Sequence, residues 1–398
     1  MEFADRMKDY EEGIFQVLNE MRLKKEMAGE KVYNFSVGTP DFHPADHIIK
    51  AVTEAALRPE NYKYSLGDMK ELTEAVIDRY KNRYDVVLSE KEVTSVYGSQ
   101  EGIAHICFAL CNPGDVVLVP NPGYPVFTFG PSLAGAQIKT YDLIEEKGYL
   151  PDLSCIDEET KRAAKCILVS YPLNPVCKCA PPSFYEELIA WAKKNQVIVI
   201  HDNAYSDIVY DNKTGRSFLS YEGAREVGVE FYSLSKSYNY TGARMAFLAG
   251  NEEIVQTFKR LRSQIDYGTF YPVQFGAIAA LTGPDDCVKE QCIKYEKRRN
   301  ALCDGFTTAG WKFDRSQGTM FAWARIPDGF EDDVAFVKEL FEKTGVLCTP
   351  GSSFGTLGKN HVRFALVLPV EIIEEALKAV VDCGILQETG NPGPKKQK

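Results

Sequence analysis

The sequence predicts an α/β protein: a large domain with a mostly parallel sheet between helices, plus a smaller α+β unit. Short apolar runs at 116–120, 166–170, 197–202 and 230–234 alternate with segments of helical periodicity such as 183–195, as strands joined by crossover helices and buried on both faces do. A chain of 398 residues exceeds what one hydrophobic core usually organises. Beyond residue 275 the pattern changes to long helical stretches at 287–309 and 370–383, with short apolar runs at 317–326, 346–349 and 362–368. The expected division is an N-terminal arm that joins the small unit (1–45), a large domain (46–275) and a small C-terminal domain (276–398). Residues 390–398 combine Gly, Pro and Lys and are expected to form a loose tail.

Taken in order, Ile14, Val17, Leu18 and Met21 recur at helical spacing and predict an amphipathic helix. Residues 32–37 alternate like a strand, which Gly38, Thr39 and Pro40 end in a turn with exposed backbone amides. Such a turn can receive a carboxylate or simply reverse the chain. A helix at 46–58 leads to the loop NYKYSLG, with Tyr62 and Tyr64, and then to a helix with Leu72, Val76 and Tyr80 on one face. A strand at 93–98 runs into Ser99-Gln100-Glu101-Gly102 and a helix carrying Ile103, Ile106, Cys107 and Leu110. A Gly-Ser turn between strand and helix puts free amides and the positive end of the helix dipole where a phosphate can bind.

Ligands of α/β sheets bind at the carboxyl ends of the strands. Here those ends read Tyr171-Pro172-Leu173-Asn174-Pro175, Asp202-Asn203-Ala204-Tyr205 and the turn around Lys236. Asp202 closes an apolar strand, where a buried charge requires a partner. His201 points to the opposite face and reads as structural. Lys236 is flanked by Ser233 and Ser235, and Arg244 follows after Gly242. A lysine attacks a carbonyl, giving a Schiff base, when desolvation or a neighbouring cation lowers its pKa. Taken alone, Ser-x-Ser-Lys also describes many solvated surface turns.

The net charge of -10 argues against a general nucleic-acid binder. Eleven cysteines without an apolar N-terminal segment point to a reducing cytoplasm. No apolar run is long enough for a membrane helix. Cys177 and Cys179 lack a second pair, and Glu101 and His105, one helical turn apart, lack a second histidine, so no metal is expected.

Nine pieces in order, VGTPDF, Tyr62 five residues before Gly67, GSQEGIAH, NPGYPVF, YPLNP, VIVIHDNAY, SLSKSYNYTGAR, PGSSFG and HVRFAL, span nearly the whole chain. Together they resemble the class I/II aminotransferases, the fold-type-I enzymes that use pyridoxal 5'-phosphate. The resemblance implies a seven-stranded, mostly parallel sheet and ping-pong transfer of an amino group between an L-amino acid and a 2-oxo acid. It implies that Lys236 forms the Schiff base and moves the proton, and that Asp202 pairs with the pyridinium nitrogen. Tyr205 and Asn174 would donate to the phenolic oxygen, and Tyr124 would stack on the ring. Ser99, Gln100, Ser233, Ser235 and Arg244 would hold the phosphate, with Tyr62 reaching in from the second subunit of a homodimer. Arg363 would fork the substrate α-carboxylate, helped by Asn174 and the backbone of Gly38. A β-lyase of the same fold would use the same site. A non-enzymatic ligand sensor fits less well, since no basic helix-turn-helix segment precedes the domain.

The departures bear on the substrate. Val176 and Cys177 follow Pro175, where the family often has Thr-Gly. Ser99 stands where some aspartate aminotransferases have a lysine that grips the distal carboxylate, and DYGTFYPVQ (266–274) lacks the arginine of other dicarboxylate-specific members. Arg262 is near in sequence, but its spacing assigns it no such role. Tyr267, Phe270 and Tyr271 are candidates to line an apolar pocket or to pack a dimer seam. A neutral or aromatic donor is therefore expected over aspartate.

Overall fold

The computed structural model describes residues 1–5, 7 and 14–386; the expected tail and the Ile14 side chain lie outside the described residues. The chain opens with α1 (Ile14–Met27), β1 (Tyr33–Asn34), α2 (Asp46–Ala56), α3 (Lys70–Tyr84), β2 (Val93–Val96) and α4 (Ser99–Leu110). It continues through β3 (Val116–Asn121), α5 (Val126–Leu133), β4 (Gln137–Asp142), α6 (Glu158–Ala163), β5 (Ala164–Ser170), α7 (Pro182–Asn195) and β6 (Ile198–Asn203). Then come α8 (Ala224–Val227), β7 (Gly228–Ser233), α9 (Leu234–Ser237), β8 (Ala246–Gly250), α10 (Glu252–Arg262), α11 (Tyr271–Thr282) and α12 (Asp286–Thr308). The last part holds β9 (Phe321–Arg325), α13 (Asp333–Thr344), β10 (Val346–Leu347), β11 (Thr349–Pro350), β12 (His361–Ala365) and α14 (Val370–Asp382).

The central sheet has seven strands in the order β2-β8-β7-β6-β5-β3-β4. Pairings from β4 through β7 are parallel, while β8 runs antiparallel to both β7 and β2. Alternation along the strands divides the core. Cys166, Leu168, Ile200, Phe231 and Leu248 pack on one face with Ile103, Phe127 and Phe258, whereas Ile167, Val169, Val199 and Tyr232 join Tyr80 and Leu188 on the other. Asp202 shares the first face by parity with Ile200, and His201 takes the second.

On that second face His201 is fully buried, its Nδ1 3.1 Å from Glu230 Oε2 and its Nε2 3.3 Å from Tyr185 Oη. The Glu230 carboxylate also accepts from Tyr80 Oη (3.0 Å), Ser217 Oγ (2.8 Å) and the Phe218 amide (2.7 Å). A buried carboxylate so fully bonded is structural, and it leaves His201 no free nitrogen for chemistry.

The smaller sheet is antiparallel, in the order β11-β12-β9, and β1 pairs in parallel with β10. The expected strand at 346–349 splits at Cys348, because Val346 and Leu347 pair with the N-terminal β1 whereas Thr349 and Pro350 pair with β12. The expected strand at 32–37 is laddered with β10 at Tyr33 and Asn34, and Phe35 adds backbone hydrogen bonds to Leu347 O and from the Ala365 amide (both 2.7 Å). The expected run 230–234 stops at Ser233, since Leu234 opens the single helical turn α9.

Candidate active site

Parallel register sets three strand ends side by side: Ser170 is opposite Asp202, and Asp202 opposite Phe231. The antiparallel return of β8 brings the segment after Lys236 back to the same edge, with Ser233 paired to Ala246. A cavity of about 350 Å³ opens there. Its walls hold every site residue expected from sequence except one: Gly38, Ser99, Gln100, Tyr124, Asn174, Asp202, Tyr205, Ser233, Ser235, Lys236, Arg244 and Arg363. Tyr62 is the exception. It is 65% exposed, its hydroxyl donates to Ala56 O (2.9 Å), and its ring packs edge-on against Phe270 at 5.4 Å.

One end of the cavity is built for an anion. Helix α4 starts at Ser99 without a side-chain cap, after Gly98 at φ 90°, so its first amides and positive dipole end face the cavity. Arg244, itself left-handed at φ 57°, is held through its Nη1 on Thr241 O (3.1 Å), while Thr241 Oγ1 donates to Ser235 O (2.8 Å). Its guanidinium lies so close to Gly98 that a Cβ there would overlap Nη2. Gly98→Ala combines this overlap with a left-handed strain of about 1–3 kcal/mol. It is expected to weaken binding of pyridoxal 5'-phosphate, the group the resemblance implies, by about tenfold or more, which a fluorescence titration of the apoprotein measures.

The middle of the cavity holds an amine and a carboxylate under opposite stress. Lys236 Nζ donates to Gly38 O at 2.8 Å. Burial, then Arg363, then Arg244 lower its pKa to about 8, so the larger cationic influence is Arg363 rather than the sequence neighbour Arg244. Asp202 is pushed the other way, to about 6, chiefly by burial. Among the described residues its Oδ1 is buried with no hydrogen-bond partner, a demand that a cationic donor would satisfy. Tyr124 Oη donates to Gln100 Oε1 at 3.1 Å on the adjoining wall.

The third part presents a buried guanidinium fork of the shape that a planar anion requires. Arg363 is buried between the rings of Phe321 (4.0 Å to the centroid) and Phe354 (4.7 Å). It donates from Nη1 to Asn174 Oδ1 (2.8 Å) and from Nη2 to Ser36 O (3.1 Å). Because Asn174 gives its oxygen to the arginine, its NH₂ is the group left for a ligand. Burial holds Arg363 down at about 10, still a cation at neutral pH. The Val176-Cys177 departure leaves Asn174 in place: Cys177 is left-handed at φ 62°, and its amide donates to Leu173 O at 2.6 Å.

Sequence reasoning missed Phe321, which stacks on Arg363, meets Tyr205 edge-on at 5.9 Å, and lies where a Cβ on Gly38 would be. Its face follows from pairing β9 with β12, where Phe321 opposes Ala365. Thr241 was findable, since it stands inside SLSKSYNYTGAR. Arg262 lies elsewhere: it pairs with Asp266 (2.9 Å), donates to Ser95 O and sits 5.1 Å over the Tyr97 ring. Glu101 serves the backbone, accepting from the Tyr97 amide at 2.9 Å and from His105.

The model of the family described as aminotransferase class I and II matches residues 30–380. The chain is 41% identical over 387 residues to the LL-diaminopimelate aminotransferase of Halothermothrix orenii, covering 97% of this chain and 99% of that protein. It is 37% identical over 380 residues to the glutamate-pyruvate aminotransferase AlaC of Escherichia coli, covering 94% and 92%. Among solved structures, substrate-bound BacF from Bacillus subtilis superposes with a TM-score of 0.93 at 35% identity, covering 96% of this chain and 98% of that one.

Proposed function

The chain belongs to the class I and II aminotransferases, and from that membership we propose the division of labour in its cavity. It is a pyridoxal-5'-phosphate-dependent aminotransferase of fold type I, moving an amino group between an amino acid and a 2-oxo acid. The observation that carries the residue assignment is the orphaned Asp202 oxygen in one cavity with the depressed amine of Lys236 and the anion cradle of Ser99 and Arg244. That donor set fits a ring nitrogen, a carbonyl and a phosphate ester.

When bound, the cofactor supplies an electron sink for the bond broken at the substrate Cα. Lys236 holds the cofactor and moves the proton at the substrate Cα, for which an amine with pKa near 8 is suited. Asp202 takes the ring nitrogen; Ser99, Gln100, Ser233, Ser235 and Arg244 take the phosphate. Tyr205 and the Asn174 amide would donate to the phenolic oxygen, and Tyr124 would stack on the ring. Arg363 forks the substrate carboxylate, with Gly38 and Asn174 beside it.

The active form on this reading is a homodimer in which Tyr62 completes the partner's phosphate site. An exposed surface of three tyrosines and a leucine supports it: Tyr62, Tyr64, Leu66 and Tyr267 are 65%, 78%, 81% and 61% exposed. A cytoplasmic setting belongs to the same reading, supported by eleven cysteines that are all free thiols.

The described cations on the cavity wall are Lys236, Arg244 and Arg363, each with a role above. A lone distal carboxylate finds no further cation among the described residues of the cavity wall, so we read the donor as neutral or aromatic rather than aspartate. LL-Diaminopimelate, alanine and glutamate enter as test donors from the names of the relatives. These are to be assayed with phenylalanine and aspartate against 2-oxoglutarate and pyruvate, leaving out glutamate with 2-oxoglutarate and alanine with pyruvate, whose exchange gives no net product. Aspartate is expected to rank last; a clear preference for it would overturn the reading. Parallel double-reciprocal lines are expected, and keto-acid release without an acceptor would point instead to the lyase.

A further inference from the structure

A single buried amide ties together the two loops that carry the exposed aromatic side chains. Gln274, in the first turn of α11, is fully buried. Its Oε1 accepts from the Met69 amide (2.7 Å), and its Nε2 donates to Thr269 O (2.7 Å) and Ser65 Oγ (2.9 Å). Ser65 doubles the tie, donating from Oγ to Gly67 O (2.6 Å) and accepting the Gly268 amide at its carbonyl (2.5 Å). Gly268 has no room for a side chain, since a Cβ would overlap Ser65 Oγ and the Gly67 backbone. On the other flank Asn61 Nδ2 donates to Ala55 O at 2.8 Å.

Residues 61–69 and 265–274 therefore form one braced platform rather than two independent loops. On it Tyr62 stands against Phe270 at 5.4 Å and Tyr64 against Tyr267 at 5.2 Å. Both sides of the Tyr62–Phe270 contact are anchored by the same side chain, through Ser65 and Met69 on one side and Thr269 on the other. A buried amide with its oxygen and nitrogen both engaged specifies one arrangement and penalises every other.

We propose that Gln274 is a positioning residue for the neighbouring copy: it fixes the platform from which Tyr62 reaches the partner's phosphate cradle, and so sets cofactor affinity there. This rests on the shared-site homodimer proposed above. The competing route is internal. Tyr97 Oη donates to Gly268 O (3.3 Å), and Tyr97 leads directly into Gly98 of the same chain's cradle.

Two heterodimers separate the routes, each purified through two affinity tags and each with one working site. In the first, Gln274→Leu and Lys236→Ala share a chain, and the partner is unaltered; the working site then receives Tyr62 from the altered platform. In the second, Gln274→Leu is on the chain that keeps Lys236, and the Lys236→Ala partner supplies an intact platform. The reference is an unaltered chain with a Lys236→Ala partner. The cofactor concentration for half-maximal Schiff-base absorbance, which only the site that keeps Lys236 gives, is expected to rise about tenfold in the first and stay at the reference in the second, with kcat at saturating cofactor unchanged. Gly268→Ala should reproduce the asymmetry if Gln274→Leu assembles poorly, and Gln274→Glu, which keeps the acceptor for Met69, should show a smaller rise. An equal rise in both heterodimers, a rise confined to the second, or no rise in either would overturn the proposal. Tyr62→Phe in the same two arrangements tests the premise: an effect within its own chain would sink the shared site and this inference together. A Tyr62→Phe effect across the interface with a symmetric or absent Gln274→Leu effect would sink this inference alone.

Discussion

Lys236→Ala is expected to yield a folded protein that still captures pyridoxal 5'-phosphate and has lost nearly all turnover. Binding survives because the phosphate cradle, Arg244 at Gly98 and the α4 amides, is built from other residues. Turnover fails because no other amine lines the cavity among the described residues. Loss of the proton transfer alone is expected to lower kcat by about 10² to 10⁴-fold. Peptide mapping after borohydride reduction of the unaltered protein checks the assignment directly, since the pyridoxyl group must be found on Lys236, and a pyridoxyl group on any other lysine would refute it. The sign of the pH dependence follows from the depressed pKa. The amine is protonated below about 8 and free above it, so the rate of covalent capture by the apoprotein should climb as pH rises through 8 and then level off. An uninhibited rate at pH 6 would show that the cavity does not hold the amine as described.

Asp202→Asn should move stability and catalysis in opposite directions. Burial raises the carboxyl from its ordinary 3.8 to about 6, so the fold prefers the protonated form. Its favourable contribution is complete below about pH 4 and is lost as pH rises through 6, leaving a buried anion at neutral pH. Replacing it with a neutral amide should stabilise the apoprotein by roughly 2 kcal/mol at pH 7.5 and by little at pH 4, visible as a higher Tm only at the higher pH. With cofactor bound the ordering is expected to reverse, because on the proposed assignment the anion would face the ring nitrogen and keep it protonated. The variant should lose ~10²-fold or more in kcat, the scale of removing one preorganised electrostatic partner. Unchanged turnover would mean that Asp202 serves some other group, and an unchanged apoprotein Tm at pH 7.5 would mean that its charge is solvated.

The separation of Asp202 from His201 was legible before any coordinates, because strand alternation needs only the apolar run around it. The same holds for the free amides at Ser99, which follow from a glycine between a strand and a helix. Lys236 was legible only as one member of an ordered set, since its local pattern also fits a solvated turn. Phe321 was not legible. Its position against Arg363 depends on register between β9 and β12, segments that no local signal connects. The split at Cys348 was hidden for the same reason, as it reflects pairing with a strand at the opposite end of the chain. Tyr62 was singled out only through the resemblance, its own cavity does not contain it, and nothing in a single chain's pattern says where such a side chain ends.

The hydrogen bond from Lys236 Nζ to Gly38 O crosses from the large sheet's edge to the segment just after β1. The groups assigned to the cofactor stand on the large sheet's edge, whereas Gly38 and Arg363 flank the small sheets. The same short stretch reaches the guanidinium as well, since Ser36 O accepts from Arg363 Nη2 at 3.1 Å. Residues 36–38 thus bond both the amine and the arginine, so the spacing between these two cations is set by three consecutive residues that belong to neither sheet's edge.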